Sequence, residues 1–141
     1  REPPTHDATP TPPPRTTPGV ILKEKEAYQL WLALHRNFPR IERLGIGQKI
    51  EDVFLCILEL SFACVYLSPE QKIPMLAKVI SKLDTLKFFM QLAWESKLIP
   101  QAKYIELSGK LEEIGKMLGG WRKGLQSPTA QTSQNKTLTM S

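Results

Sequence analysis

Ile50–Leu67 reads IEDVFLCILELSFACVYL. Past Asp52 its single charge is Glu59. Ile50, Val53, Phe54, Ile57 and Cys64 form one stripe at helical spacing, and Leu55, Leu58, Phe62 and Tyr66 cover the other sides. A helix that is apolar all round must be buried all round. A chain of 141 residues has few other helices to bury it. Either the bundle is tight, or a second copy covers the outer side. A transmembrane span is the competing explanation. The uncharged runs on either side of Glu59 fall short of the roughly 20 apolar residues that a bilayer needs. A central glutamate is costly in lipid, and the flanking Glu51 and Asp52 show no positive-inside pattern. The stretch is therefore read as the central helix of a bundle, with no membrane partner.

The helices around it follow from the same periodicity. On one side, Val20–Phe38 places Val20, Ala27, Tyr28, Trp31, Leu34 and Phe38 on one face, with Lys25, Glu26, Gln29 and Arg36 away from it. His35 lies at the edge of this stripe and reads as a packed, hydrogen-bonded side chain rather than a ligand. Pro39 ends the helix. Arg40–Gly45 is expected to form a turn, and Gly45 and Gly47 supply loose backbone before the central helix starts. On the other side, Ser68-Pro69-Glu70-Gln71 is a helix start: Ser68 is the N-cap, Pro69 is N1, and Gln71 completes a capping box. Pro74 falls too late for the first turn, so a short turn and a kink are expected there. The third long helix then runs to about Lys97 over Leu76, Val79, Leu83, Leu86, Met90, Ala93 and Trp94. Its other face carries Lys78, Lys82, Phe89 and Leu92, with Phe88 beside them. The fourth opens at Pro100 and repeats Tyr104, Leu107, Leu111, Ile114, Leu118 and Trp121 at intervals of three and four. Glu106–Lys110 and Glu112–Lys116 are supportive pairs on its surface.

No strand pattern is present, so the expected fold is all-α: an antiparallel up-down-up-down four-helix bundle over residues 20–124. Residues 1–19 hold seven of the twelve prolines and almost no apolar side chain. They are read as a disordered or polyproline-like arm, with PTPPPR more plausibly a spacer than an SH3-type ligand. Residues 125–141 are Ser/Thr/Gln-rich and read as a disordered tail. Cys56 and Cys64 share the central helix roughly 12 Å apart, too far for a disulfide within one chain. Free buried thiols point to a reducing compartment, and a cytoplasmic location is expected. No secretory leader pattern is visible, and the first residue is Arg1 rather than methionine.

Catalytic and metal chemistry finds little support. A di-metal carboxylate bundle needs Glu-x-x-His pairs, which neither His6 nor His35 has. The two cysteines lack a close zinc-ligand pair, Gly47-Gln48-Lys49 is not a phosphate loop, and one folded histidine cannot serve a Ser/His/Asp triad. The chain is read as a non-enzyme that needs no cofactor. Charge placement says more. The net charge is +5 at a sequence pI near 9.3, and basic residues gather at Arg36/Arg40/Arg43, at Lys78/Lys82 and at Arg122/Lys123. Such groups bind phosphate without reading base sequence. Arg36/Arg40/Arg43 can equally be a solvated turn partly neutralised by Glu42, and Phe89 with Leu92 can be part of a broad core stripe. Oligomerisation would multiply the positive field. Leu55, Leu58, Phe62, Phe89 and Leu92 are the candidates for that interface.

Several short motifs occur in a fixed order: Tyr28-x-x-Trp31, Asn37-Phe38-Pro39-Arg40-x-Glu42-Arg43, Leu44-Gly45-x-Gly47-Gln48-Lys49-Ile50, Pro69-Glu70-Gln71-Lys72-Ile73-Pro74, Leu83-Asp84-x-Leu86-Lys87-Phe88-Phe89 and Gly119-Gly120-Trp121. Over residues 20–124 the chain resembles the accessory variability proteins (Avd) of diversity-generating retroelements, and more widely the bundle proteins of ribosomal RNA intervening sequences. The resemblance implies a non-enzymatic pentameric ring that associates with a reverse transcriptase and its template RNA and supports synthesis of mutagenised cDNA. It implies a basic nucleic-acid surface, mapped here to Arg36, Arg40, Arg43, Lys78, Lys82, Arg122 and Lys123. Arg40 and Arg43 lie in the matching motif, and the others rest on charge placement. The alternative is a structural interaction bundle of the intervening-sequence type with no polymerase partner.

Overall fold

The computed structural model describes residues 18–126, and the Pro-rich arm and the Ser/Thr/Gln-rich tail lie outside them apart from their inner edges. Four long helices and one short one make up the described chain: α1 (Gly19–His35), α2 (Arg40–Leu44), α3 (Ile46–Cys64), α4 (Pro69–Glu95) and α5 (Gln101–Leu125). Among the described residues there is no strand. α1 packs against α3 and α5, and α4 packs against the same two, so the long helices form a closed four-membered layer. Links at both ends fix the antiparallel sense. Glu24 near the start of α1 meets Ser61 near the end of α3, and His35 at the end of α1 meets Glu51 near the start of α3.

Most of the expected core positions are buried, while Tyr28, Tyr104 and Trp121 are half-buried against them. Ala27, Trp31, Leu34 and Phe38 are buried with Ile50, Val53, Phe54, Ile57 and Cys64, and Leu76, Val79, Leu83, Leu86, Met90 and Ala93 meet Leu107, Leu111, Ile114 and Leu118. Trp94 is only half-buried and stacks flat on Tyr104 of α5 at 4.7 Å between ring centres. Among the described residues no helix is long and apolar enough to cross a membrane.

Three local expectations are corrected. The segment expected as a turn is a single helical turn, α2, because Pro39 in an extended conformation (ψ 152°) starts a helix as readily as it ends one. The break expected at Pro74 is absent: α4 is continuous from Pro69 to Glu95. The capping box secures the turn just before that proline, with Gln71 N–H donating to Ser68 Oγ at 3.4 Å and Ser68 N–H to Gln71 Oε1 at 3.3 Å. The surface pairs on α5 also differ. Glu112 reaches across to Lys87 of α4 at 3.1 Å, and Glu106 takes Lys103 at 3.6 Å. Exposed pairs of this kind contribute about 0–1 kcal/mol, so small differences in reach decide the partner.

α4 ends in a Schellman motif. Leu98 N–H donates to Ala93 O and Lys97 N–H to Trp94 O, both at 2.9 Å, with Lys97 at φ 65°. Glycine is the ordinary residue at this left-handed position, since a Cβ there crowds the following carbonyl. Lys97→Gly is therefore expected to raise stability by about 0.5–1 kcal/mol, the relief of that crowding less the extra chain entropy of glycine. Urea denaturation reads the change directly.

Glu24 is the one buried acid among the described residues, 1% exposed. Ser61 Oγ–H donates to its Oε2 at 2.8 Å, while Oε1 has no partner. Burial pushes the carboxyl up to about 7, against a smaller lowering by Ser61. A folded-state value above the unfolded one means that the native state binds the extra proton, so stability is greatest in acid and falls as pH rises from about 4.5 through about 7. Glu24→Gln should flatten this part of the pH–stability curve and raise stability at pH 8 by about 1–3 kcal/mol. Urea midpoints measured across that window test it.

Candidate nucleic-acid interface

One end of the bundle is built around Glu51. Its carboxylate accepts from Tyr28 Oη–H, from Trp31 Nε1–H at 2.9 Å and from His35 Nδ1 at 3.3 Å. Three residues one turn apart on α1 thus converge on one side chain of α3. Burial pushes the Tyr28 hydroxyl up to about 12, and the bond to Glu51 and its charge add to the shift. His35 stacks on Trp31 at 4.8 Å and meets Phe38 edge-on at 5.5 Å. Its Nε2 lies 3.4 Å from the Arg43 carbonyl oxygen. His35 is therefore a packed side chain joining α1, α2 and α3, as its place on the stripe implied.

Gly47 makes this arrangement possible. A Cβ at this position would overlap His35 Nε2 and lie 2.9 Å from the Glu42 carbonyl oxygen. The absent methyl lets α2 fold back onto the histidine, and α2 carries Arg40 and Arg43 next to Arg36 at the end of α1. All three arginines are exposed. Among the described residues no carboxylate lies within salt-bridge distance of them. Ile41 and Leu44 on the same short helix are 80% and 68% exposed. The corner thus offers three free guanidinium groups beside two uncovered aliphatic side chains.

The other basic positions do not join it. Lys78 is exposed and Lys82 half-buried in the middle of α4. Arg122 and Lys123 lie in the last turn of α5, at the opposite end of the bundle. There they complement the helix dipole, and Arg122 Nε is buried with no partner. The seven residues form three separate groups, not one surface, within a single chain.

The apolar candidates divide similarly. Phe62 is 56% exposed and pairs edge-on with Tyr66, itself 63% exposed. Leu55 is exposed on the same side of α3, Leu58 is half-buried, and Leu92 is exposed on α4. Phe89 is half-buried against the core with Lys49 over its ring at 5.8 Å, and Phe88 is the outward residue of that pair. Phe89 lies three residues after the buried Leu86 and next to Met90, so the helical phase turns it inward. The Glu51 hub and the inward Glu24 escaped sequence reasoning. Acidic residues on an apolar helix read as surface until a partner helix supplies donors, although the Tyr28-x-x-Trp31-x-x-x-His35 spacing does put three polar tips on one face.

Among the described residues no group of three or more His, Cys, Asp or Glu side chains could hold a metal ion. A family model described as bAvd-like matches residues 21–125. No curated protein and no solved structure matches the chain.

Gly47→Ala is expected to cost about 1–3 kcal/mol, since the added methyl must displace a ring packed on three sides. Gly109→Ala, where a Cβ meets nothing within 4 Å, should stabilise by about 0.5–1 kcal/mol. The contrast is read by urea denaturation of the two variants.

Proposed function

We propose, on the premise that the chain belongs to the bAvd-like family of accessory variability proteins, that it acts as an oligomeric, non-enzymatic subunit which binds a reverse transcriptase together with its template RNA and cDNA. The family is an accessory kind of protein, and the polymerase would carry the chemistry of mutagenic cDNA synthesis. The observation that carries the nucleic-acid part is the arginine corner: Arg36, Arg40 and Arg43, exposed and without acidic partners among the described residues, held in place by the His35–Glu51 hub. Phosphate contacts from such a corner position a strand without reading its sequence.

The three separated basic groups favour assembly. Copies arranged side by side in a ring, a pentamer by family resemblance, would gather each arginine corner on one rim. Lys78/Lys82 and Arg122/Lys123 would extend the positive field down the wall and to the other rim. The contact between copies would use the uncovered side of α3, with Leu55, Leu58 and Phe62, and the Phe89–Leu92 region of α4. An apolar side of this kind is better suited to a stable contact than to water.

Light scattering of the full chain should give a mass several times 16.0 kDa, and Phe62→Asp should reduce it to that of a single chain. RNA affinity should fall steeply between low and moderate salt, and Arg40→Glu with Arg43→Glu should lower it on the order of a hundredfold or more at low salt. A stable monomer would remove the ring, and RNA binding indifferent to salt and to both arginines would remove the corner.

A further inference from the structure

The arginine corner adjoins a cleft of about 560 Å³ between the end of α1 and the α4–α5 connection. That is within the usual range for a small-molecule site, roughly 300–1,000 Å³. Leu34 and Ile99 are buried in its floor, and the half-buried Trp94 indole, held flat against Tyr104, stiffens one wall. Asn37, Lys97, Gln101 and Lys103 supply the polar groups. Among the described residues no acidic side chain lines the cleft. Asn37 Nδ2–H donates to the Ala33 carbonyl oxygen at 3.4 Å, which leaves its own amide oxygen to accept. Lys97 keeps a left-handed conformation at φ 65° where glycine is the ordinary residue.

We infer that this cleft receives the base of an unpaired nucleotide whose neighbouring phosphates lie on Arg36, Arg40 and Arg43. The inference deepens the nucleic-acid reading above and rests on it. Asn37 is three residues from Arg40, so cleft and corner are no more than about 11 Å apart along the backbone. A base needs an apolar wall to lie against and an amide to meet its edge, and its phosphate needs cations, which is the set present. A duplex keeps its bases stacked and paired and cannot fill the cleft. The mixed-charge cleft between α4 and α5, about 380 Å³ and lined by Asp84 and Glu112 as well as Lys87, has no such bias toward an anion.

The test uses the full chain, a short unstructured oligonucleotide in ribose and deoxyribose forms, the corresponding duplexes, and adenosine monophosphate alone. Anisotropy gives the affinities. The indole N–H resonance of Trp94, assigned with Trp94→Phe, reports on the cleft. The expected result is preference for the single strand, binding of either sugar form sufficing, and a Trp94 shift with both oligonucleotide and monophosphate. Lys97→Gly combined with Lys103→Gln should lower single-strand affinity on the order of tenfold and leave duplex binding within about twofold. Lys97→Gly relieves backbone strain, so loss of fold is not the expected cause of any effect. Equal binding of single strand and duplex, lost in Arg40→Glu/Arg43→Glu but unchanged in the cleft variant, would overturn the cleft and leave the corner standing. Absence of binding to any oligonucleotide would overturn the functional reading. The monophosphate titration would then decide the cleft alone: a Trp94 shift keeps it as a nucleotide site, and an unmoved resonance rejects it.

Discussion

The Glu51 carboxylate gathers three donors from α1, and much else at that end of the molecule is placed by this convergence. Tyr28, Trp31 and His35 occupy successive turns of one face, so their common acceptor fixes the rotation and height of α1 against α3. Hydrogen bonds to a charged acceptor are among the stronger ones available to side chains. His35, held on one nitrogen, presents the other to the Arg43 carbonyl oxygen. The orientation of α2 and its arginines is thus set from inside the bundle, through a ring that only glycine at position 47 can accommodate. A basic surface built this way is presented on a fixed frame, which limits the ordering entropy that phosphate binding must offset.

At the other end the arrangement is different. Glu24 also faces inward, but it has a single donor, Ser61, and an unpaired oxygen. Two glutamates that point into the bundle from α1 and α3 therefore contribute with opposite sign at neutral pH, one by collecting donors and the other through the cost of removing its charge from water.

The bundle was legible in the chain because apolar periodicity, one capping box and two prolines mark its helices independently of tertiary detail. The failures were local. A five-residue helix such as Arg40–Leu44 leaves too short a pattern to register, and Pro74, placed too late for the first turn, carries the ordinary expectation of a kink, whereas the helix runs through it. The expected surface pair Glu112–Lys116 followed a rule that describes isolated helices, whereas Lys87 of the neighbouring helix offers a shorter reach. Of the functional candidates, Arg36, Arg40 and Arg43 could be seen as one group because they are near neighbours in sequence. The relation of Lys97 and Lys103 to Asn37 could not, since it arises only when the α4–α5 connection folds against the end of α1. Phe88 and Phe89 show the same limit: a choice between adjacent residues depends on a helical phase that adjacent apolar positions leave ambiguous.

The Glu24–Ser61 bond has a consequence for how the sequence can drift. The dependence runs one way. An alanine at 61 strands the acid without a donor, whereas a leucine at 24 frees the serine hydroxyl to bond the carbonyl four residues back in its own helix. The two sites, far apart along the chain, are thus ordered in how they can change: the acid can be given up before the serine, and kin carrying the acid without the hydroxyl should be scarce.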